Sequence, residues 1–459
     1  MYSKLLSMQK YLDYLEQNKE AFLNELKEFL KIPSISADHN YKPQIMQAAN
    51  FLQDQLKKLG FTTIELLETE DHPLVFGEYV VDSAKPTVLL YSHYDVQPPD
   101  PLAEWQTPPF EPEIRNQAIY ARGAADNKAP LFCHLKAVET LLKTKGLPLN
   151  VKFIFDGGEE IGSEGLVSLL KQNPEKFKAD LALISDTSMI LDDLPSLAIS
   201  LRGLVYLEVI INGPNRDLHS GQNGGLVQNP INALATMVAK ITDDSGKITI
   251  PGFYDQVLDL TEAELKELAT IPFDLTEYKN KLGVSELTSD SKIEILKRLW
   301  VKPTFDCNGI KGGYLGEGQK TIIPSQASAK LSFRIVPNQN PQQIKSLVEA
   351  YLHQIKPAGV TLKIIEHSGC FPVKIDHTSK QVQLALKVLT EVYGHNPFLQ
   401  GVGESIPLVL EFNQTLGMPC LLLGFGKWSD NIHSPNENFK LDNFYKGILT
   451  LCRFLEIYK

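Results

Sequence analysis

Thiol chemistry has little to work with in this sequence. The five cysteines, Cys133, Cys307, Cys370, Cys420 and Cys452, are scattered, odd in number and form no C-x-x-C pair. That pattern excludes a disulfide framework and a thiolate zinc site. It suits a reducing compartment, so a cytoplasmic location is expected. Long apolar runs are missing too: no uninterrupted stretch approaches the ~20 residues a membrane span needs. Charges throughout residues 1–20 argue against a secretory signal peptide. There is no basic surplus. Lys and Arg number 45 against 55 Asp and Glu, a net charge of −10, which argues against sequence-independent nucleic-acid binding. Neither a membrane nor a nucleic acid is therefore an expected partner. Several catalytic signatures are absent as well, including the H-E-x-x-H helix and the G-x-x-x-x-G-K-[ST] phosphate loop. "GESIP" (403–407) lacks the second glycine of a nucleophile elbow, and "GFGKWS" matches a dinucleotide fingerprint only in its first two glycines.

What is present is the composition of an ordinary globular protein, 43% hydrophobic and 22% charged. The 459 residues are too many for one hydrophobic core, so two domains are expected. Leu12, Leu15, Phe22, Leu26 and Phe29 put an amphipathic helix over 8–30. A second helix spans 43–60 and stops at Gly60. Four short apolar runs, "TVLLYS" (87–92), "NVKFIF" (150–155), "DLALIS" (180–185) and "PCLLLGFG" (419–426), read as buried strands. Helical patterns such as 129–146 lie between the first three. This alternation predicts an α/β domain with a mixed, largely parallel sheet and helices on both faces. The middle of the chain alternates differently. In "AKLSFRIVP" (329–337), Leu331, Phe333 and Ile335 face one way and Lys330, Ser332 and Arg334 the other. Together with strands at 204–213 and 360–366, a helix at 341–355 and a charged helical excursion at 255–300, this predicts an inserted α+β, ferredoxin-like lid. The expected division is 1–203 with 377–459 for the catalytic domain, and 204–376 for the lid.

Each apolar strand of the first domain leads to a possible ligand. These are His93 and Asp95 after "LLYS", Glu159 and Glu160 after "KFIFDGG", Asp186 after "LALIS", and His433 beyond "LLLGFG". Asp126 lies in the loop "RGAADNK". One Asp after one strand is ordinarily a turn residue or helix cap, and a lone His is ordinarily packed or hydrogen-bonded. Coincidence at several strand ends is different, because ligands of parallel sheets sit beyond the strands' carboxyl ends. So many carboxylates at one edge would repel each other without cations. Oxygen and imidazole donors without thiolate suit Zn²⁺ or Mn²⁺. The donors are too many for one ion, so two ions sharing a carboxylate are expected. His39, His72, His134, His353, His367, His377 and His395 have no such setting and read as surface or core residues.

The set "SHYDVQP", "RGAADNK", "GGEEIGSEG", "ISDTS", "DLHSG", "SFRIVP", "ESIP" and "HSPNE", in this order, resembles the two-metal aminoacylase–carboxypeptidase-like metallopeptidases. The carnosinase and cytosolic non-specific dipeptidase branch is the most similar. The resemblance implies that His93, Asp126 and Asp186 hold one metal, and that Asp126, Glu160 and His433 hold the other. Zinc is the expected ion, with manganese or cobalt as alternatives. It implies Glu159 as general base, Asp95 orienting His93, and a cis peptide between Asp126 and Asn127. It further implies a homodimer in which His219 stabilises the oxyanion across the subunit boundary, while Arg334 and Ser405 bind the substrate's free carboxylate. The expected substrate is a small peptide or an N-acyl amino acid. The implied activity is dipeptide hydrolysis; N-acyl-amino-acid deacylation and a non-catalytic binding protein are the alternatives. The sequence departs from the family pattern at Ala129, Gly158 and Glu404. A Glu404 facing the carboxylate pocket would favour basic substrates.

Overall fold

The computed structural model describes residues 2–189 and 194–459. The chain forms two compact units: Met1–Ile199 with Ile375–Gln400 and Pro407–Lys459, and Ser200–Lys374 with Gly401–Ile406.

The largest sheet has nine strands among the described residues, and seven of them build the core layer of the first unit. In chain order they are β1 (Thr63–Leu67), β2 (Leu74–Tyr79), β3 (Thr87–His93), β4 (Asn150–Asp156), β5 (Leu181–Ile184), β6 (Ser196–Leu201) and β7 (Cys420–Leu422). Their spatial order is β1–β2–β4–β3–β5–β7–β6. The four central strands are mutually parallel, and β1, β2 and β6 add antiparallel margins. The fold is thus mixed α/β with a largely parallel core. Its central strands are buried almost end to end, as expected where helices cover both faces. On one face, Val88 and Leu90 of β3 share a core with Phe29 and Phe132, whose rings lie 5.5 Å apart. Phe29 comes from helix α1 (Tyr2–Leu30) and Phe132 from helix α2 (Ala129–Thr144). On the other face, Tyr91 meets Phe412 edge-on at 5.8 Å. Each such buried aromatic contributes roughly 3 kcal/mol through removal from water.

The fourth apolar run is not one continuous strand. Only Cys420–Leu422 joins the main sheet, while Gly426–Lys427 pairs separately with Ser188–Met189. The break falls at Gly424, where any Cβ would stand 1.8 Å from Thr187 O. Close backbone approach, invisible to a hydrophobicity pattern, bends the chain there.

The second unit holds an antiparallel sheet in the spatial order Thr304–Gly312, Gln326–Ile335, Gly203–Asn212, Thr361–Cys370. Helices Pro230–Ala239 and Pro341–Ile355 supply Ala233, Leu234, Met237, Ile344, Val348 and Leu352 to its core. The resulting βαββαβ order is ferredoxin-like. Gly203–Asn212 alternates strictly between buried and half-buried positions, the mark of a sheet covered on one face. Three short helices, Glu262–Thr270, Leu275–Leu282 and Lys292–Trp300, make up the charged excursion. The first starts on a reciprocal capping box between Thr261 and Glu264.

Candidate metal centre

Parallel neighbours β4, β3 and β5 all end at one sheet edge, and the side chains just past their ends converge. β3 ends on His93 itself. β4 passes through Gly157, where a Cβ would lie 2.4 Å from the Tyr94 hydroxyl, into a short 3₁₀ turn at Glu159–Ile161. β5 runs through Ser185 to Asp186.

The Asp126 carboxylate is the centre of the cluster. Its Oδ1 lies 2.9 Å from His93 Nε2, and its Oδ2 lies 3.0 Å from His433 Nε2. The two oxygens thus face two different imidazoles. His93 Nε2 is also 3.6 Å from Asp186 Oδ1, and His433 Nε2 is 3.2 Å from Glu160 Oε2. His93, Asp126 and Glu160 present donor atoms all within 4.8 Å of one another. The Asp126–Asn127 peptide is cis, as the resemblance implies.

Supporting contacts fix these groups. His93 Nδ1 lies 3.2 Å from the Asp95 carbonyl oxygen and 3.3 Å from its Oδ1. The same Asp95 carboxylate accepts the backbone N–H groups of Glu159 and Glu160, at 3.2 and 3.1 Å. Asn127 Nδ2 donates to Asp186 Oδ1 at 2.7 Å, and Gln97 Nε2 donates to Glu160 Oε2 at 2.8 Å. The Glu437 carboxylate is fully buried. It accepts from Arg122 Nη1 (2.7 Å) and from the backbone N–H groups of Gly123 (2.8 Å), Ala125 (2.7 Å) and Asp126 (3.0 Å). It lies four positions after His433. One side chain therefore ties the His433 segment to the Asp126 loop.

The electrostatics describe a site short of positive charge. Burial pushes the Glu160 carboxyl up, and the Asp126 charge adds to this, to about 7. Burial also raises Glu159 well above the usual carboxyl range; Asp186, Glu160 and Asp126 reinforce the shift and His93 opposes it. Hydrogen bonds to Asp126 and Glu160 raise His433 to about 10. His93 is raised well above its ordinary value because Asp186, Asp126 and Asp95 outweigh its burial. Burial would raise Asp126, but the two imidazoles hold it well below the usual carboxylate range. Carboxylates that raise both imidazoles and one another form an electrostatic pattern that bound cations would neutralise. Glu160 Oε1 and Asn127 Oδ1 are buried with no hydrogen-bond partner among the described residues. An open carboxylate oxygen amid two imidazoles and further carboxylates is a donor set that fits divalent ions.

The second unit carries the other predicted site residues. Arg334 Nη1 donates to Ser405 Oγ at 3.0 Å, and the Ser405 hydroxyl donates in turn to the Arg202 carbonyl oxygen. The sequence reading did not single out Arg202. Burial and nearby Arg334 lower its guanidinium to about 10, while Asp306 and Glu404 oppose the shift. Glu404 itself is exposed. His219 is exposed on the short strand Leu218–His219. Its Nδ1 accepts the Gly221 N–H at 3.1 Å, so the proton of the neutral ring sits on Nε2.

Sequence comparison matches residues 89–457 to Peptidase family M20/M25/M40. The chain is 35% identical to the Cys-Gly metallodipeptidase DUG1 of Candida albicans, covering 99% of this chain and 98% of that protein. The crystal structure of an M20 family metallo-carboxypeptidase, Sso-CP2 of Sulfolobus solfataricus, superposes with a TM-score of 0.86 at 37% identity, over 95% of this chain and 99% of that one. Human carnosine dipeptidase 1 superposes with a TM-score of 0.86 at 29% identity, over 98% of both chains. The chain belongs to peptidase family M20/M25/M40 and is a metallopeptidase.

Proposed function

We propose that this chain is a two-metal dipeptidase, with His93, Asp126 and Asp186 holding one ion and Asp126, Glu160 and His433 the other. The observation that carries the reading is the Asp126 carboxylate, whose two oxygens face His93 and His433 separately. Imidazole and carboxylate donors without thiolate suit zinc, with manganese and cobalt as alternatives. Divalent ions there supply a polarised carbonyl and an acidified water.

The chain's own groups do the rest. Glu159 takes a proton from the attacking water as its oxygen bonds to the amide carbon. It then returns that proton to the leaving nitrogen as the C–N bond breaks. Asp95 orients His93 through Nδ1 and anchors the Glu159–Glu160 backbone, so one residue positions a ligand and the base together. Arg334, held by Ser405, receives the substrate's free carboxylate. His219 stabilises the oxyanion from across a homodimer.

An open sheet edge supports that dimer. Among the described residues, Thr304–Gly312 has a neighbouring strand on one side only, and Leu226, Ile310 and Leu315 are 77%, 59% and 77% exposed in the same unit. No helix among the described residues is long and apolar enough to cross a membrane. Together with the five free cysteines, this supports a cytoplasmic enzyme. The names of the relatives favour dipeptides over N-acyl amino acids, since a metallodipeptidase and a carnosine dipeptidase are among them. The test is metal-depleted protein reconstituted separately with Zn²⁺, Mn²⁺ or Co²⁺ and assayed on dipeptides, longer peptides and N-acyl amino acids. Dipeptides are expected to turn over fastest. A preference for N-acyl amino acids would replace the reading with a deacylase. Retention of two ions without hydrolysis of any compound would replace it with a binding protein.

A further inference from the structure

His134 is fully buried on α2, and the mechanism above does not use it. Its Nδ1 lies 3.2 Å from Ser92 Oγ and its Nε2 lies 2.8 Å from Ser185 Oγ. These serines are the residues immediately before His93 and Asp186. β3 and β5 are parallel neighbours with Tyr91 opposite Ile184, so Ser92 and Ser185 fall together one position further on. Side chains alternate along a strand. The two serines therefore face α2, while the residues that follow them turn towards the cluster.

The hydrogen bonds are directional. The Ser92 hydroxyl donates to the Tyr91 carbonyl oxygen at 2.8 Å, so its oxygen is left to accept. His134 consequently carries its proton on Nδ1 and donates it to Ser92, and Nε2 accepts the Ser185 hydroxyl. Both ring nitrogens are satisfied only in this neutral tautomer, and burial reinforces it by lowering the imidazole to about 3. Asn127 extends the network, because its Nδ2 reaches both Ser185 O (3.2 Å) and Asp186 Oδ1 (2.7 Å).

We infer that His134 is a positioning residue that clamps the ends of β3 and β5 through Ser92 and Ser185, at the spacing His93 and Asp186 need to share one ion. The inference rests on the two-metal reading. It assigns the clamp to the ion held by His93 and Asp186 and not to the one held by Glu160 and His433. Loss of the clamp should lower affinity at the first ion by about tenfold, the low end of what outer partners of metal ligands contribute.

The test is stepwise Zn²⁺ titration of the metal-depleted full chain by chelator competition. The variants are His134→Phe, which keeps a ring in the cavity, and Ser185→Ala, a smaller change that covers the case in which His134→Phe does not fold. Each is also combined with His433→Ala, which leaves the first ion to be read alone. The expected result is about tenfold weaker binding of that remaining ion, with the Glu160–His433 step changed less than about threefold. Unchanged affinity of the remaining ion, or equal weakening of both steps, overturns the clamp. Failure of the underlying reading looks different: the unmodified chain would bind fewer than two ions, or Asp186→Ala would remove neither step.

Discussion

Glu437→Gln preserves shape at the best-connected buried carboxylate and removes its charge. The amide oxygen can still accept from two of the four donors around it. Its NH₂ group then faces the other two, either the pair Arg122 Nη1 and Gly123 N or the pair Ala125 N and Asp126 N. Arg122 is 1% exposed and loses its carboxylate in either case. Removing one partner of a buried ion pair costs about 3–5 kcal/mol. Arg122→Met should cost less, about 1.5–3 kcal/mol, the worth of one hydrogen bond to a charged group, because three backbone donors still hold the carboxylate. The double variant Arg122→Met/Glu437→Met should not return to wild-type stability, since the N–H groups of Gly123, Ala125 and Asp126 stay buried and unpaired. That pattern separates a carboxylate that organises backbone from one that only balances Arg122. The assay is urea unfolding of the metal-depleted chain followed by two probes, which keeps ion binding out of the comparison. A Glu437→Gln chain within about 1 kcal/mol of wild type, or full recovery in the double variant, refutes the reasoning.

Three further outcomes are expected. His134 is neutral in the fold down to about pH 3 but protonates near 6.5 when unfolded. Its contribution is therefore complete above 6.5 and is lost as pH falls from 6.5 to about 3, at about 1.4 kcal/mol per pH unit. His134→Phe should flatten that part of the stability profile, and an unchanged acid slope contradicts the assignment. Asp95→Asn should lower kcat or metal affinity about 10–100-fold by loosening His93 and the Glu159–Glu160 turn together, read by steady-state kinetics and chelator competition. Arg334→Ala should raise KM for dipeptides about 10–100-fold, equivalent to a charged hydrogen bond of about 1.5–3 kcal/mol, and should leave kcat much less affected. A change confined to kcat would contradict a carboxylate-binding role.

The legible parts of this chain were those written in local pattern. Continuous apolar runs marked β3, β4 and β5, and polar residues directly after them marked the edge where the cluster lies. Alternation marked the second unit's sheet, with Leu331, Phe333 and Ile335 inward. What stayed hidden depends on contacts distant in sequence. Glu437 reaches Arg122 across 315 positions, and its four donors are mostly backbone, which no residue pattern advertises. His134 read as one more core or surface histidine, because its meaning lies in two serines 42 and 51 positions away. A trace of it was present: Ser92 and Ser185 occupy equivalent places before His93 and Asp186. Glu65 and Glu78 interrupt β1 and β2, so neither reads as a continuous apolar run, and the break at Gly424 is set by Thr187 across the chain. Gly401–Ile406 groups with the second unit although the residues on both sides group with the first, a division that composition does not signal.

The central claim is that Glu159 moves protons at a two-ion site without holding an ion itself. Glu159→Gln tests it directly, with metal content and dipeptide hydrolysis measured on the same preparation. The expected result is two divalent ions per chain, as in the unmodified protein, with turnover reduced about 10²–10⁴-fold. Near-wild-type turnover, or loss of an ion together with activity, would contradict that role.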